Sequence, residues 1–477
     1  MKKLLQNTIL LIVTTQLTYC EKFLDIEAPI TSTNQENVYQ NDYTAAAVLT
    51  GLYAQIMSDF SQGGITSISL IKELSADNLI LNDVTSIGYM NFWRNSLTAD
   101  YINTEGYNNY FSNFYQKIYI INAAIEGLAN SNRITPSIKQ RLLGESHFLR
   151  AFYYFYLVEI FGDTPLVLTT DYQKNSNISR SPIQDVYQQI INDLNQSTKQ
   201  LNDTYVDANI TTPTQERVRP NLGAALALLA RVQLYNKNYN EAERRATEII
   251  NKTSLYNMVG LDSVFKKNSR ETIWSLQPVK QGYNTDEASL FILTGVPGTL
   301  SSKPFYLSNS LVSSFEPNDN RKTTWISNLN SGFTQYPYAS KYKIDVLRSS
   351  NSVVEEYCIA LRLSEQYLIR AEARTELNDI RGAQSDLNAI RNRAGLPATT
   401  ASTQAELRKA ILQERRVELF TEWGHRWFDL KRTNSLDKAM TAAVQYKGGT
   451  WSSYRALYPL PNTELLLDKN LTQNPGY

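Results

Sequence analysis

Apolar residues recur at helical spacing through much of the chain. In "DYTAAAVLTGLYAQIMSDF" (42–60), "YNNYFSNFYQKIYIINAAIEGLA" (107–129) and "PIQDVYQQIINDLNQSTKQL" (182–201) the i, i+3, i+4 recurrence predicts amphipathic helices. Ser181 is the expected N-cap of the third, with Pro182 at its first helical position. The stretch "FLRAFYYFYLVEIFGDTPL" (148–166) differs. Apolar and aromatic groups circle almost the whole helix, Arg150 and Glu159 are its only charges up to residue 161, and Gly162 with Pro165 ends it. Such a helix must be covered on most sides.

Two stretches repeat one another. In "ALALLARVQLYNKNYNEAERRATEII" (225–250) Ala230 precedes Ala242 by twelve positions, and in "SEQYLIRAEARTELNDIRGAQSDLNAIRNRAG" (364–395) Ala371 precedes Ala383 by the same interval. Two helices joined by a short polar turn, with small residues where they cross, form a tetratricopeptide-like hairpin. Each hairpin needs a neighbour to cover its apolar face, so the expected fold is mainly α, a stack of such hairpins. Residues 255 to 350 break this pattern. They are rich in Gly, Pro, Ser and Asn with little helical period, which predicts short strands, turns and the long surface loops where ligand contacts concentrate. The expected organisation is a single domain from 20 to 477, with a helical scaffold over roughly 40–254 and 355–440 and a loop-rich ligand region over roughly 255–350.

Charge removes one class of partner. With 47 basic and 46 acidic residues the net charge is +1, so no field favours nucleic acid. Thirty tyrosines suit both helix packing and the flat, polar-tipped surfaces that hold polar ligands. At the N-terminus, Lys2 and Lys3 precede a short apolar run centred on Ile9 to Val13, which reads as a signal peptide over 1–19. It ends in Leu17-Thr18-Tyr19-Cys20, similar to a bacterial lipobox with Cys20 as the lipidated residue, although Tyr19 stands where a small residue is usual. The other cysteine, Cys358 in "EEYCIALRL", is expected to be a buried core thiol.

One stretch looks enzyme-like. "ERRVELFTEWGHRWFDLKR" gathers Glu414, Arg415, Arg416, Glu418, Glu422, His425, Arg426 and Asp429. Paired carboxylates are the apparatus of glycoside hydrolysis. The spacing also allows Arg415 with Glu418, and Glu422 with Arg426, to pair along one helix, with Trp423 and Trp427 on another face. The ion-paired packing helix is the reading adopted, with no catalytic residue. No metal or cofactor is expected, since His147 and His425 are the only histidines and no Gly-rich phosphate loop follows a strand.

Several of these segments together resemble a known family. "FLRAFYYFYLVEIFGDTPLVL", "RPNLGAALALLARVQLYNKNYNEA" (219–242), "FEPNDNRKTTW" (315–325) with Asp319 and Arg321, Lys341-Tyr342, "RLSEQYLIRAEA" (362–373), "LNAIRNRAGLP" (387–397), the 411–432 helix and the ending "YPLPNTELLLDKNLTQNPGY" (458–477) follow in the order of the SusD/RagB family of outer-membrane nutrient-binding lipoproteins. The resemblance implies a non-catalytic, mostly helical lipoprotein on the outer face of a Gram-negative outer membrane. It further implies a SusC-like TonB-dependent transporter as partner and a glycan, or sometimes a peptide, as ligand. A secreted helical carbohydrate-active enzyme and a helical-repeat protein adaptor are the alternatives.

Within that frame, ligand contacts are expected from aromatics set in polar, turn-rich sequence. These are Trp93 in "GYMNFWRNS", Tyr283 in "KQGYNTDEA", Trp325 in "NRKTTWISN", and Tyr336 and Tyr338 in "TQYPYAS". Trp93 and Trp325 lead because indole offers the largest stacking face. Asp77 and Asn78 in "LSADNLIL" are the expected hydrogen-bonding partners of sugar hydroxyls.

Overall fold

A computed structural model describes residues 38–60, 63–82, 85, 87–100, 110–298, 303–346 and 353–477. The expected signal peptide and Cys20 lie outside these residues. The fold is mainly α. Its main helices are α1 (Asp42–Ser58), α2 (Tyr110–Asn130), α3 (Pro136–Phe161), α4 (Ile183–Gln200), α5 (Leu222–Tyr235), α6 (Tyr239–Ile250), α7 (Leu363–Glu376), α8 (Ile380–Arg393), α9 (Gln404–Leu419), α10 (His425–Arg432) and α11 (Leu436–Lys447). Helices α2 to α9 pack in chain order, each against the next or the next but one.

The alanine spacing shows its purpose at the crossings. Ala230 and Leu234 of α5, Ala242 and Ala246 of α6, and Ile369 and Ala373 of α7 form one buried cluster. Ala371 of α7 and Ala383 of α8 join Leu387, Leu407 and Ile411 in the next. Turns between paired helices are polar and capped: Asn238 accepts from the Glu241 amide and Asp379 from the Gly382 amide.

Helix α3 lies deepest. From Phe148 to Phe161 every side chain is buried, covered by α2 on one side and α4 on the other. Trp274 and Trp423 close the remaining face, Trp274 edge-on to Phe148 at 4.9 Å and to Phe152 at 5.1 Å. Its charges are neutralised inside, Arg150 by Asp193 at 2.6 Å and Glu159 by Lys431 at 2.8 Å. Gly162 takes a φ of 75° and ends the helix. At α4 the cap is one residue later than expected. Pro182 is the N-cap, because Ser181 is held in a two-residue antiparallel pair with Thr164.

The loop-rich region is an insertion between α6 and α7. Its ends are tied by strands β2 (Thr272–Leu276) and β6 (Cys358–Arg362), which pair antiparallel. Strand β3 (Phe305–Leu307) pairs with β1 (Leu79–Leu81), and β4 (Ile326–Ser331) with β5 (Thr334–Ala339) in a hairpin. Gly332, at φ 57°, opens its two-residue turn. Helices α6 and α7 still touch directly, so the stack runs on beneath the insertion.

A buried ionic network locks insertion to scaffold. Glu418 of α9 accepts from Arg321 (2.9 Å), Arg362 (2.6 Å) and Arg393. Arg321 also pairs with Asp319 and Glu414, Arg362 with Glu271 and Glu422, and Lys341 with Glu422. The expected pairing along one helix is therefore corrected. The chain turns sharply between α9 and α10 through Thr421, Trp423 and Gly424, all at positive φ. That turn sends Arg415 to Asp429 and Arg426 to Asp77 instead.

Candidate functional site

Trp93 and Trp325 are core residues, contrary to expectation. Trp325 is wholly buried, its indole N–H donating to the Leu261 carbonyl, and Lys341 sits 5.0 Å above its ring. Trp93, 6% exposed, donates to the Leu79 carbonyl. The indole that offers the largest stacking face also has the most apolar area to remove from water, and burial wins. Asp77 and Asn78 are buried as well. Asp77 is clamped by Arg426 at 2.7 Å and Arg416 at 3.1 Å. Burial opposes its charge, but the two guanidiniums prevail and bring its pKa down to about 2. Asn78 donates to Glu73 and accepts from Arg416. All four are buried, and their polar groups are engaged within the protein.

The three tyrosines fare differently. Tyr336 and Tyr338 are half-buried on one face of the β4–β5 hairpin, opposite Leu329 and Ser327, and Tyr336 meets Tyr306 edge-on at 5.3 Å. Tyr283 is half-buried beneath the Lys280 ammonium, 4.0 Å from its ring centre. None of the three lines either of the clefts described here; Tyr283 stands behind one of them, covered by Lys280 of its lining.

That cavity, about 520 Å³, is lined by Ser58 of α1 and by Phe60, Tyr89, Lys280, Asp286 and Lys303. Each element places its residue for a local reason. The segment Ile87–Trp93 is a short helix whose Phe92 and Trp93 are drawn into the core, leaving Tyr89 half-exposed, its ring edge-on to Phe305 at 5.7 Å. Asp286 opens the helix Asp286–Phe291, which Thr285 caps by accepting from the Ala288 amide. Lys303 is held by Asp345 at 2.6 Å. Burial raises the Asp286 carboxyl to about 6 against the pull of Lys280. Next to it Glu287 is pushed up to about 7 by burial and accepts the Cys358 S–H at 3.0 Å, so Cys358 is a core thiol.

A half-exposed ring with a carboxylate, an ammonium and hydroxyls around a cleft of this volume fits a small polar ligand with apolar faces. The cleft residues are not legible in the sequence. Tyr89 lies in the quoted "GYMNFWRNS" but yields to Trp93 when ring size is the criterion. Phe333 was also missed. It is fully exposed at the hairpin tip, and "SGFT" signalled it, because a residue in a two-residue turn has no interior to face. Among the described residues, no three His, Cys, Asp or Glu side chains are arranged to hold a metal ion.

Fold and cleft together define a helical-repeat scaffold with a polar cleft between α1, the Ile87–Trp93 helix and the inserted loops. Residues 168–477 match the SusD family, and residues 22–234 match a SusD-like family described as starch-binding and associating with the outer membrane. The chain belongs to the SusD family. SusD-like protein P2 of Formosa agariphila and a SusD-like protein of Bacteroides ovatus are each 25% identical to it. The alignments span 94% and 95% of this chain and 96% and 87% of theirs. A laminarin binding SusD-like protein of known structure superposes with a TM-score of 0.74 at 25% identity, over 92% of this chain and 100% of its own. A SusD superfamily protein of Bacteroides vulgatus gives 0.76 at 19% identity, over 91% and 99%, a likeness of fold.

Proposed function

We propose that this chain is a surface glycan-binding lipoprotein. It is anchored to the outer membrane through Cys20, captures oligosaccharide or polysaccharide in the Tyr89 cleft, and passes it to a SusC-like TonB-dependent transporter. The observation that carries the reading is the cleft itself, where the Tyr89 ring stands beside Asp286, Lys280 and Ser58. An aromatic face takes the apolar side of a sugar ring, and charged and hydroxyl groups take its hydroxyls. Membership of a family described in part as starch-binding and outer-membrane-associated, and likeness to a laminarin binding protein, support it. No helix among the described residues is long and apolar enough to cross a membrane.

The protein acts here as a binder without turnover. The carboxylates that invited a hydrolase reading, Glu414, Glu418 and Glu422, are buried and engaged by Arg321, Arg362 and Lys341. Affinity electrophoresis in gels containing laminarin or starch tests the proposal. The intact protein should be retarded in at least one. Tyr89→Ala should weaken that binding roughly tenfold, the low end of what stacking on one aromatic contributes, with its melting temperature nearly unchanged. Unretarded migration in every polysaccharide gel, or full binding by Tyr89→Ala together with Asp286→Asn, would refute the assignment.

A further inference from the structure

The Tyr89 cleft has a neighbour. A second cavity, about 580 Å³, is lined by Thr50, Tyr53 and Ala54 of α1, by Thr214, and by Pro278 and Val279. Val279, 48% exposed, belongs to both linings. Helix α1 is common to both as well, giving Thr50, Tyr53 and Ala54 to one cavity and Met57 and Ser58 to the other. Positions 50, 54, 57 and 58 follow at three- and four-residue intervals and so share one helix face. At 1.5 Å per residue this wall extends about 12 Å from Thr50 to Ser58. The facing wall is continuous too, from Leu276 through Val279 to Lys280. Two cavities that lie between the same pair of walls and meet at one exposed side chain form a single groove.

We propose that this groove binds an internal stretch of a linear glycan laid along α1, so that recognition needs several consecutive sugar units spanning both cavities. The inference rests on the glycan reading above and adds the length and course of the bound chain. Groups in the second cavity suit such a chain. The Tyr53 ring is half-exposed, and its hydroxyl is oriented by donation to Glu145 at 2.9 Å. The Arg219 guanidinium is engaged by Glu145 at 2.6 Å and by the Ala208 carbonyl at 2.7 Å, and Glu216 is paired with Lys267 at 2.6 Å. A polyanionic chain therefore gains no counter-charge at Arg219, whereas a neutral, hydroxyl-bearing one meets ring, hydroxyl and apolar surface.

Two substitutions separate the cavities. Ala54 is exposed on α1 and lines only the second cavity, so Ala54→Trp fills it and leaves the Tyr89 cleft open. Val279→Trp obstructs the junction. The probes are laminarin and starch with their oligosaccharides, from disaccharide to polymer, measured by calorimetry against the intact protein and both variants. In the intact protein affinity should rise about tenfold or more from disaccharide to the longest oligosaccharide of the series that binds, a difference of about 1.4 kcal/mol. Ala54→Trp should lose that rise while keeping the disaccharide affinity, and Val279→Trp, at the junction, should lose the rise as well. Length-independent affinity in the intact protein, or an undiminished rise in Ala54→Trp, overturns the continuous groove and leaves the Tyr89 cleft standing. Failure of both series to bind at any length overturns the glycan reading and this inference together.

Discussion

Phe152 tests whether the aromatic helix is scaffold. Its ring is wholly buried, stacks against Phe148 at 6.1 Å, and lies edge-on to Tyr156 and Trp274 at 5.1 Å and to Trp423 at 5.4 Å. With Tyr153 edge-on at 6.5 Å as well, Phe152→Ala removes a partner from five aromatic contacts at once. Neighbours held in ion pairs and between packed helices have little room to close the void, so the cost should be about 3–5 kcal/mol. The thermal shift will look modest. An unfolding entropy of about 2.1 cal/mol/K per residue, over a chain of 477 residues, comes to about 1 kcal/mol per degree, so the midpoint falls only about 3–5 °C if the fold unfolds as a unit. A urea titration with unchanged slope is the better assay. Phe333→Ala is the control, since its ring is fully exposed and its loss should cost less than about 0.5 kcal/mol. If the two variants lose stability equally, Phe152 does not hold the stack together.

Other outcomes follow from the same geometry. Glu418→Gln keeps the shape but places an amide among three guanidiniums, and should destabilise by about 3–5 kcal/mol in chemical denaturation; a neutral result would mean the remaining carboxylates suffice. Burial resists the Glu418 charge, but Arg393, Arg362 and Arg321 hold its pKa well below the usual range; its stabilisation is complete above the unfolded value of about 4 and is lost as pH falls toward the folded one, so the acid limb of the stability curve should flatten in the variant. Asp286, held near 6 by burial with Lys280 and Glu287 beside it, accepts hydroxyls more strongly once ionised. Glycan affinity should therefore rise between pH 5 and 7, about one unit either side of that pKa, and Asp286→Asn should abolish the dependence. In the fold the same raised carboxyl is stabilising while protonated and loses that contribution as pH climbs through about 6. Cys20→Ala should move the protein from the membrane to the soluble fraction in cells lacking the transporter, since stable anchoring needs the acyl chains; retention there would reject lipidation. Prolonged incubation with a bound polysaccharide should release no reducing sugar.

What could be read in the sequence is what repeats. The Ala230–Ala242 and Ala371–Ala383 intervals predicted two crossings because helix packing is periodic and local. The girdled run from 148 to 161 predicted a covered helix for the same reason. The inserted loops followed other rules. Polar neighbours concealed the burial of Trp325, since Arg321 four residues earlier is itself interior, paired with Asp319, Glu414 and Glu418. Asp77 was marked as a sugar ligand, yet its partners Arg416 and Arg426 lie more than three hundred positions away. Spacing carries no trace of such pairings, nor of the cleft that joins Ser58, Tyr89, Asp286 and Lys303.

The insertion between α6 and α7 has a consequence for how such a protein can change its diet. Because those two helices touch through Ala242, Ala246, Ile369 and Ala373, the loops between them form a cassette whose exchange need not break that helix contact, provided the segments packed on the frame, such as Trp274 against α3, are kept. The exchange has a condition set by charge. Glu418 and Glu422 belong to the frame, while Arg321, Lys341 and Arg362 arrive with the cassette. A transplanted segment that does not bring a cation to each place would leave buried carboxylates short of partners, so viable grafts are those that carry Asp319, Arg321, Lys341 and Arg362 along with whatever new surface they display.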